Sequence, residues 1–262
     1  MLDQINVGFI GFGNMGSAMA EGMLKTKSIS SKQLWACARN KEKLQGRCQA
    51  LGIHPCDDAQ SVLKQCNVII LAVKPYQLAM VIDPLKDQLK DKIIISIAAG
   101  KPFAELEKLL PEGTAHLSTI PNTPISTGNG VIVCEQTHSL DDLQLEIVKK
   151  LFSPCAQMIF VETKLLSIAG ALSGCGPAFV FLMIEALADA GVKYGLDRAT
   201  AYDLISAMVK GSGALQSETK QHPGVLKDAV CSPKGTTIKG ISALEENGFR
   251  SALIQAIDAI EQ

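Results

Sequence analysis

An apolar run, Val7-Gly8-Phe9-Ile10, breaks into Gly11-Phe12-Gly13-Asn14-Met15-Gly16 and resumes as Ser17-Ala18-Met19-Ala20-Glu21-Gly22-Met23-Leu24. No other stretch narrows the choice of fold so far. Asn6 to Ile10 has the length and apolarity of a buried strand, while Met15, Met19 and Met23 recur at helical spacing, so the glycines fall at a strand-to-helix turn. A turn of this kind receives a dinucleotide pyrophosphate. Gly11 permits the tight turn, Gly13 lets the backbone approach the phosphates, Gly16 lets helix pack on strand, and the helix start offers unpaired N–H groups. Gly11, Phe12, Gly13, Asn14, Met15 and Gly16 are therefore the first candidate cofactor contacts.

The following segments repeat the strand-helix alternation. Gln33 to Ala38 reads as a second strand, and Arg39-Asn40-Lys41-Glu42-Lys43 opens a helix. An acid about 20 residues past the glycines would hold the ribose hydroxyls of NADH; here the position is Arg39, which suits a 2′-phosphate. Asn40 and Lys41 add donors, so the residues favour NADPH, with NADH as second candidate. Asn67 to Val73 and Ile93 to Ile97 are continuous apolar runs of the kind that form central parallel strands. Ligands of open α/β sheets bind outside the carboxyl ends of the strands, which adds Val73, Lys74, Pro75, Ala98, Ala99 and Gly100 to the cofactor set. His116 to Ile120 is strand-like and runs into Pro121-Asn122-Thr123-Pro124, an expected extended loop whose Asn122 and Thr123 offer side-chain hydrogen bonds. Gly130 to Glu135 and Ala156 to Val161 read as further strands flanking a helix over Leu140 to Phe152. The alternation to about residue 160 predicts a doubly wound, Rossmann-like sheet.

After Val161 strand signals vanish and helical periodicity takes over. The expected organisation is a dinucleotide-binding domain over 1–161 and an all-α domain over 162–262. Pro177 to Leu196 is apolar nearly all round, a face one small domain cannot cover alone, which predicts an isologous dimer. Glu185, Asp189 and the shortness of the unbroken run Ala178 to Ile184 argue against a membrane span.

A second chemical motif lies near the end: Cys231-Ser232-Pro233-Lys234-Gly235-Thr236-Thr237-Ile238, ahead of a helical pattern. Hydroxyls and free N–H groups at a helix start form a neutral site for a small carboxylate, with an ordinary Ser/Thr cap as the plain alternative. Composition limits the partners. Over 262 residues the net charge is −1 with no Lys/Arg cluster, which leaves no electrostatic footprint for nucleic acid or an acidic membrane. The first strand begins so near the N-terminus that no export signal is expected, and a cytoplasmic enzyme follows. The eight cysteines include no CxxC and no His at ligand spacing, so buried thiols are expected, with no metal and no disulfide. His54, His116 and His138 read as loop or strand-edge residues without partners.

The combination of GFGNMG, AVKP, AAG, PNTP, LSGCGPAF, EALADAGV, HPG, LKD and SP-x-GTTI before LEENGFR closely resembles the pyrroline-5-carboxylate reductase family, nearly end to end. The resemblance implies an NADPH-dependent reduction of a cyclic imine to L-proline. It implies an N-terminal dinucleotide domain, a C-terminal helical dimerisation domain, dimers often assembled into decamers, and an active site completed across the dimer interface. On the matching positions, Ser232, Gly235 and Thr236 hold the substrate carboxylate, and Thr237 hydrogen-bonds the ring nitrogen as the catalytic contact. The sequence departs from the family pattern in Lys234, where glycine is usual, Ser118 for an arginine, Cys175 for a serine, and Ser167 and Gly170. Lysine disfavours positive φ, so a type I turn or local strain is expected at Lys234, with a cation near an anionic substrate. Two alternatives stand beside this reading. One is a 3-hydroxyacid dehydrogenase using Lys164, Lys193 or Lys210 as base, and the other is a dinucleotide-binding dimer with a regulatory role.

Overall fold

A computed structural model describes residues 2–261. The chain divides into two compact units, Met1–Pro177 and Ala178–Gln262, the division falling inside a long helix. No strand follows Val161 among the described residues, and the helical segment 163–177 groups with the sheet. There Leu166 and Ala171 are buried, and a Cβ at Gly170 would run into the Ile120 side chain.

The first unit runs β1 Val7–Ile10, α1 Asn14–Lys25, β2 Leu34–Cys37, α2 Lys41–Leu51, β3 His54–Pro55, α3 Ala59–Gln65, β4 Val68–Leu71, α4 Leu78–Ile82, α5 Lys86–Leu89, β5 Ile93–Ser96, α6 Phe103–Glu107, β6 Ala115–Pro121, β7 Gly130–Glu135, α7 Asp142–Phe152, β8 Ala156–Val161 and α8 Leu166–Gly170. Local chemistry starts the helices. Asn40 Oδ1 accepts from Lys43 N at 2.9 Å, Asp58 Oδ1 from Ser61 N at 2.7 Å, and Asp141 and Gln144 close a reciprocal capping box.

The sheet order is β3-β2-β1-β4-β5-β6-β7-β8. β1 to β6 are parallel neighbours, with β1 between β2 and β4, so the strand order reverses beside the glycine turn. Pairing of β6 with β7 is antiparallel, which departs from the uniform alternation expected. The connection between them carries only a 3₁₀ turn, Thr123–Thr127, too short for the crossover a parallel return needs. That turn also replaces the extended loop expected after Pro121.

Burial explains the apolar runs. Val68 and Ile70 of β4 enter one core with Phe9, Met19, Met23 and Phe152; Ile69 and Leu71 enter the other with Ile10, Leu63 and Ile94. A strand covered on both faces needs apolar residues at every position.

Beyond β8, a 3₁₀ turn, α8, a π-helical segment Ala171–Cys175 and α9 Gly176–Lys193 form one continuous run, Thr163–Lys193. It has 31 residues, and an 18-residue window within it reaches a mean hydropathy of 1.8, long and apolar enough by composition alone to cross a membrane. The short unbroken run Ala178 to Ile184 thus lies within a longer helix, and its length alone does not argue against a span. The second unit continues with α10 Arg198–Thr219, α11 Pro223–Ala229, α12 Thr236–Glu246 and α13 Phe249–Glu261. Among its described residues only Ala188 and Ala201 are buried, while Phe181, Leu182, Leu204 and Ile254 are 61%, 66%, 54% and 62% exposed.

Candidate functional site

The end of β1 builds a cradle from backbone. Gly11 takes φ +95°, and a Cβ there would stand 2.6 Å from Ala72 O, so only glycine fits. The N–H groups of Gly11 and Phe12 both donate to Cys37 O at 3.0 Å, and Gly13 N donates to Gly11 O at 2.8 Å. Gly13 precedes α1 without any side-chain cap, which leaves the first N–H groups of α1 unengaged. Nothing lies within 4 Å of where a Gly13 Cβ would project. This is open space above a helix N-terminus, the shape a diphosphate needs.

Around this turn opens a cleft of about 1260 Å³. Gly11, Phe12, Gly13, Asn14, Met15, Gly16, Arg39, Val73, Lys74, Pro75, Ala98 and Ala99 all line it. Gly100 does not. It sits just past the lining at φ +69°, turning the chain toward α6. Arg39 is exposed at the mouth. Its neighbours do less than the sequence suggests: Asn40 spends its carboxamide oxygen capping α2, and Lys41 donates to the Asp57 carbonyl. Asn122 is likewise structural, its Oδ1 accepting from Val131 N at 2.9 Å and its Nδ2 donating to Ser173 O at 3.0 Å. Thr123 remains on the cleft wall.

Three polar features were not foreseen. Arg47 of α2 reaches the glycine turn, donating through Nη1 to Phe12 O at 3.2 Å and through Nη2 to Asn14 Oδ1 at 2.7 Å. Glu135 is buried at the end of β7, where its carboxylate accepts from Phe103 N at 2.5 Å and Thr163 Oγ1 at 2.6 Å. That carboxylate holds the start of α6, just after the Ala98–Gly100 segment, to the start of the long helix. His116, expected to lack partners, is fully buried, stacked on Phe103 at 4.4 Å and hydrogen-bonded through Nδ1 to Thr114 O and Ser139 Oγ, each at 3.0 Å. His54 stacks on Trp35 at 4.2 Å. The only sequence signal for these features was a polar residue inside an apolar strand, as at His116 and Glu135.

In the second unit the Ser232–Gly235 turn closes with Gly235 N donating to Ser232 O at 3.0 Å. Lys234 stands at φ +60°, which overturns the type I expectation and realises the strained alternative. A non-glycine residue in this region costs roughly 1–2 kcal/mol. A Cβ at Gly235 would run into Ser232 Oγ and come within 3.0 Å of Ser232 O, so any larger residue there would displace the Ser232 side chain. Gly235 precedes α12 with no side-chain cap, and Ser232, Lys234, Thr236 and Thr237 are all exposed. The turn therefore presents hydroxyls, unengaged N–H groups and one lysine at a helix start.

All eight cysteines are free thiols, six of them buried. Burial pushes Cys37, Cys48 and Cys155 up to about 11, and Cys66 and Cys134 up to about 12. Cys175 is exposed, against the expectation of uniformly buried thiols.

Residues 163–262 match the family model described as pyrroline-5-carboxylate reductase dimerisation, and residues 6–100 match the one described as NADP oxidoreductase coenzyme F420-dependent. The chain is 43% identical to the pyrroline-5-carboxylate reductase of Treponema pallidum over 259 residues, 97% of this chain and 98% of that one. The Plasmodium falciparum pyrroline carboxylate reductase, solved with NADP bound, superposes with a TM-score of 0.86 at 31% identity, covering 98% of this chain and 95% of that one. The Coxiella burnetii pyrroline-5-carboxylate reductase superposes at 0.85 and 32% identity, covering 98% and 96%.

Proposed function

We propose, on the premise that this chain belongs to the pyrroline-5-carboxylate reductase family, that the cleft of the first unit binds NADPH and that the Ser232–Thr237 turn holds the substrate. The chain is an NADPH-dependent imine reductase that converts 1-pyrroline-5-carboxylate to L-proline. The observation that carries the cofactor half is the glycine turn: Gly11 at positive φ, Gly13 facing open space, and an uncapped helix start beneath them.

Reduction of a cyclic C=N adds a hydride to carbon and a proton to nitrogen. Bound NADPH supplies the hydride and is left as NADP⁺. The ring nitrogen is basic enough to enter protonated, so the protein's task is orientation rather than proton abstraction. In this reading Ser232 Oγ and the N–H groups of Gly235 and Thr236 grip the carboxylate, with the Lys234 ammonium nearby. The Thr237 hydroxyl holds the ring nitrogen. Arg39 meets the 2′-phosphate, and the small side chains of Ala98 and Ala99 leave room for the nicotinamide.

The hydroxyacid-dehydrogenase alternative needs a base for an O–H proton. Lys164, one of its candidates, is paired on the surface with Glu162 at 2.7 Å. A purely regulatory dimer is answered by assay. NADPH oxidation is measured with pyrroline-5-carboxylate, then with NADH, then with 3-hydroxyacids. Turnover with the imine and preference for NADPH are expected; cofactor binding without turnover on any substrate would overturn the enzymatic reading.

The second unit's exposed apolar residues fit a homo-oligomer whose elementary contact is a dimer, with the decamer as the larger assembly. A second copy of the chain, not a bilayer, is the cover this reading assigns to α9. The protein acts in the cytoplasm, on a small molecule and without nucleic acid.

A further inference from the structure

The reach of Arg47 across the first unit has no part in the assignments above. It belongs to α2, yet both of its hydrogen bonds go to the glycine turn, and Phe12, Asn14 and Arg47 share the wall of one cleft. Its two partners, a peptide carbonyl and a carboxamide oxygen, are neutral. They orient the guanidinium without cancelling its charge. The nearby Lys41 is by contrast committed to the edge of the cleft at Asp57.

Each bond has a separate consequence. The bond to Phe12 O holds the residue between the two glycines, whose own ring is fixed against Phe9 at 5.4 Å. Glycines lose more conformational freedom on folding than any other residue. A donor from another helix restricts this turn to a single form. The bond to Asn14 Oδ1 occupies the only acceptor of that carboxamide and leaves its two N–H donors for other partners. Asn14 is the first residue of α1, beside the N–H groups that receive an anion.

We infer that Arg47 is a positioning residue for the cofactor's diphosphate, acting through the Phe12 carbonyl and the Asn14 carboxamide and adding one positive charge at the glycine turn. This rests on the NADPH reading of the cleft. It assigns two cations to two different phosphate sites: Arg39 to the 2′-phosphate and Arg47 to the diphosphate, which NADPH and NADH share. An effect of Arg47 on affinity is then blind to the 2′-phosphate.

The test measures dissociation constants of NADPH and NADH for the full-length protein by nicotinamide fluorescence. The variants are Arg47→Met, Arg47→Lys, Arg39→Ala and Asn14→Ala, with the thermal midpoint of each recorded without cofactor. A charge-assisted hydrogen bond predicts roughly ten- to hundredfold weaker binding for Arg47→Met. The expected result is that this factor is equal for NADPH and NADH, that the cofactor-free thermal midpoint falls by much less than the loss of affinity corresponds to, and that KM for the imine is unchanged. Arg47→Lys keeps the charge but loses the two-pronged donor, so it recovers only part of the loss. Arg39→Ala weakens NADPH alone. Combining Arg47→Met with Asn14→Ala should cost less than the sum of the two, because they act through one contact. A loss confined to NADPH would overturn the proposal by moving Arg47 to the 2′-phosphate. Unchanged affinity for both cofactors, or a fall in the cofactor-free thermal midpoint matching the loss of affinity, would also overturn it. Failure of the unsubstituted protein to bind either cofactor would instead remove the NADPH reading beneath it.

Discussion

The two units solve burial in opposite ways. In the first, β1, β4 and β5 are buried at every residue, and helices on both faces complete two cores. In the second, four helices and part of a fifth bury only Ala188 and Ala201 among the described residues. The sheet unit has the burial of a self-sufficient domain, and the helical unit leaves large apolar side chains such as Phe181, Leu182 and Ile254 exposed. In the assembly proposed above, the first depends on its own packing and the second on protomer concentration.

The largest effect is expected where that dependence is broken. Replacing both Phe181 and Leu182 by glutamate should abolish assembly, read as a shift to monomer in sedimentation velocity. NADPH binding by the sheet unit should survive; a folded dimer carrying both changes would contradict the dependence of the helical unit. Ile70→Ala should cost the sheet unit about 2–5 kcal/mol in denaturant unfolding, because Ile70 is wholly buried. A loss below 1 kcal/mol would mean that the core collapses around the gap. Thr237→Ala is expected to lower kcat by about 10²-fold with NADPH affinity nearly unchanged, since the proposed reading gives this hydroxyl one oriented contact with the substrate and none with the cofactor. Loss of cofactor binding in that variant would sink the role given to Thr237.

Thiol chemistry reads the same contrast more gently. The native protein should react rapidly with an aromatic disulfide reagent only at Cys175 and Cys231, with the buried six released on unfolding. The sign follows from burial: thiols raised from 9.0 to about 11 in the fold ionise earlier when unfolded. Their contribution to stability is intact below pH 9 and is lost as pH rises toward 11. A flat unfolding free energy across that window would contradict it. The smallest effect is expected for Lys234→Gly, which should raise the unfolding free energy of the assembled protein by about 1 kcal/mol by relieving positive φ. Michaelis constants of the same variant report whether the lysine charge matters to substrate, and identical values would remove it from the site.

Much of this molecule was legible in the chain. Runs such as Val68–Leu71 and Ile93–Ile95 read as strands covered on both faces, and the glycines between β1 and α1 marked the cleft. β3 escaped notice because it has two residues, one of them proline, and exists only by pairing with β2. The antiparallel return into β7 was hidden because Pro121 to Asn129 does not state its direction until its length is set against a crossover. The partners of His116 leave no local signal because Phe103 and Ser139 are brought to it from before and after in the chain. Arg47 was invisible for the same reason, lying 33 residues from Asn14 in sequence and 2.7 Å from it in space.

Periodicity, glycine placement and capping are local, so the sequence by itself determined the longer strands, the long helices, the glycine turn and the motif that begins α12. Only the tertiary structure decided which side chains meet: Arg47 with the glycine turn, Glu135 with Phe103 and Thr163, and Lys234 held at positive φ by the turn that Gly235 closes. Such contacts join residues far apart in the chain or impose backbone angles against local preference. Packing of the whole unit is what makes them affordable.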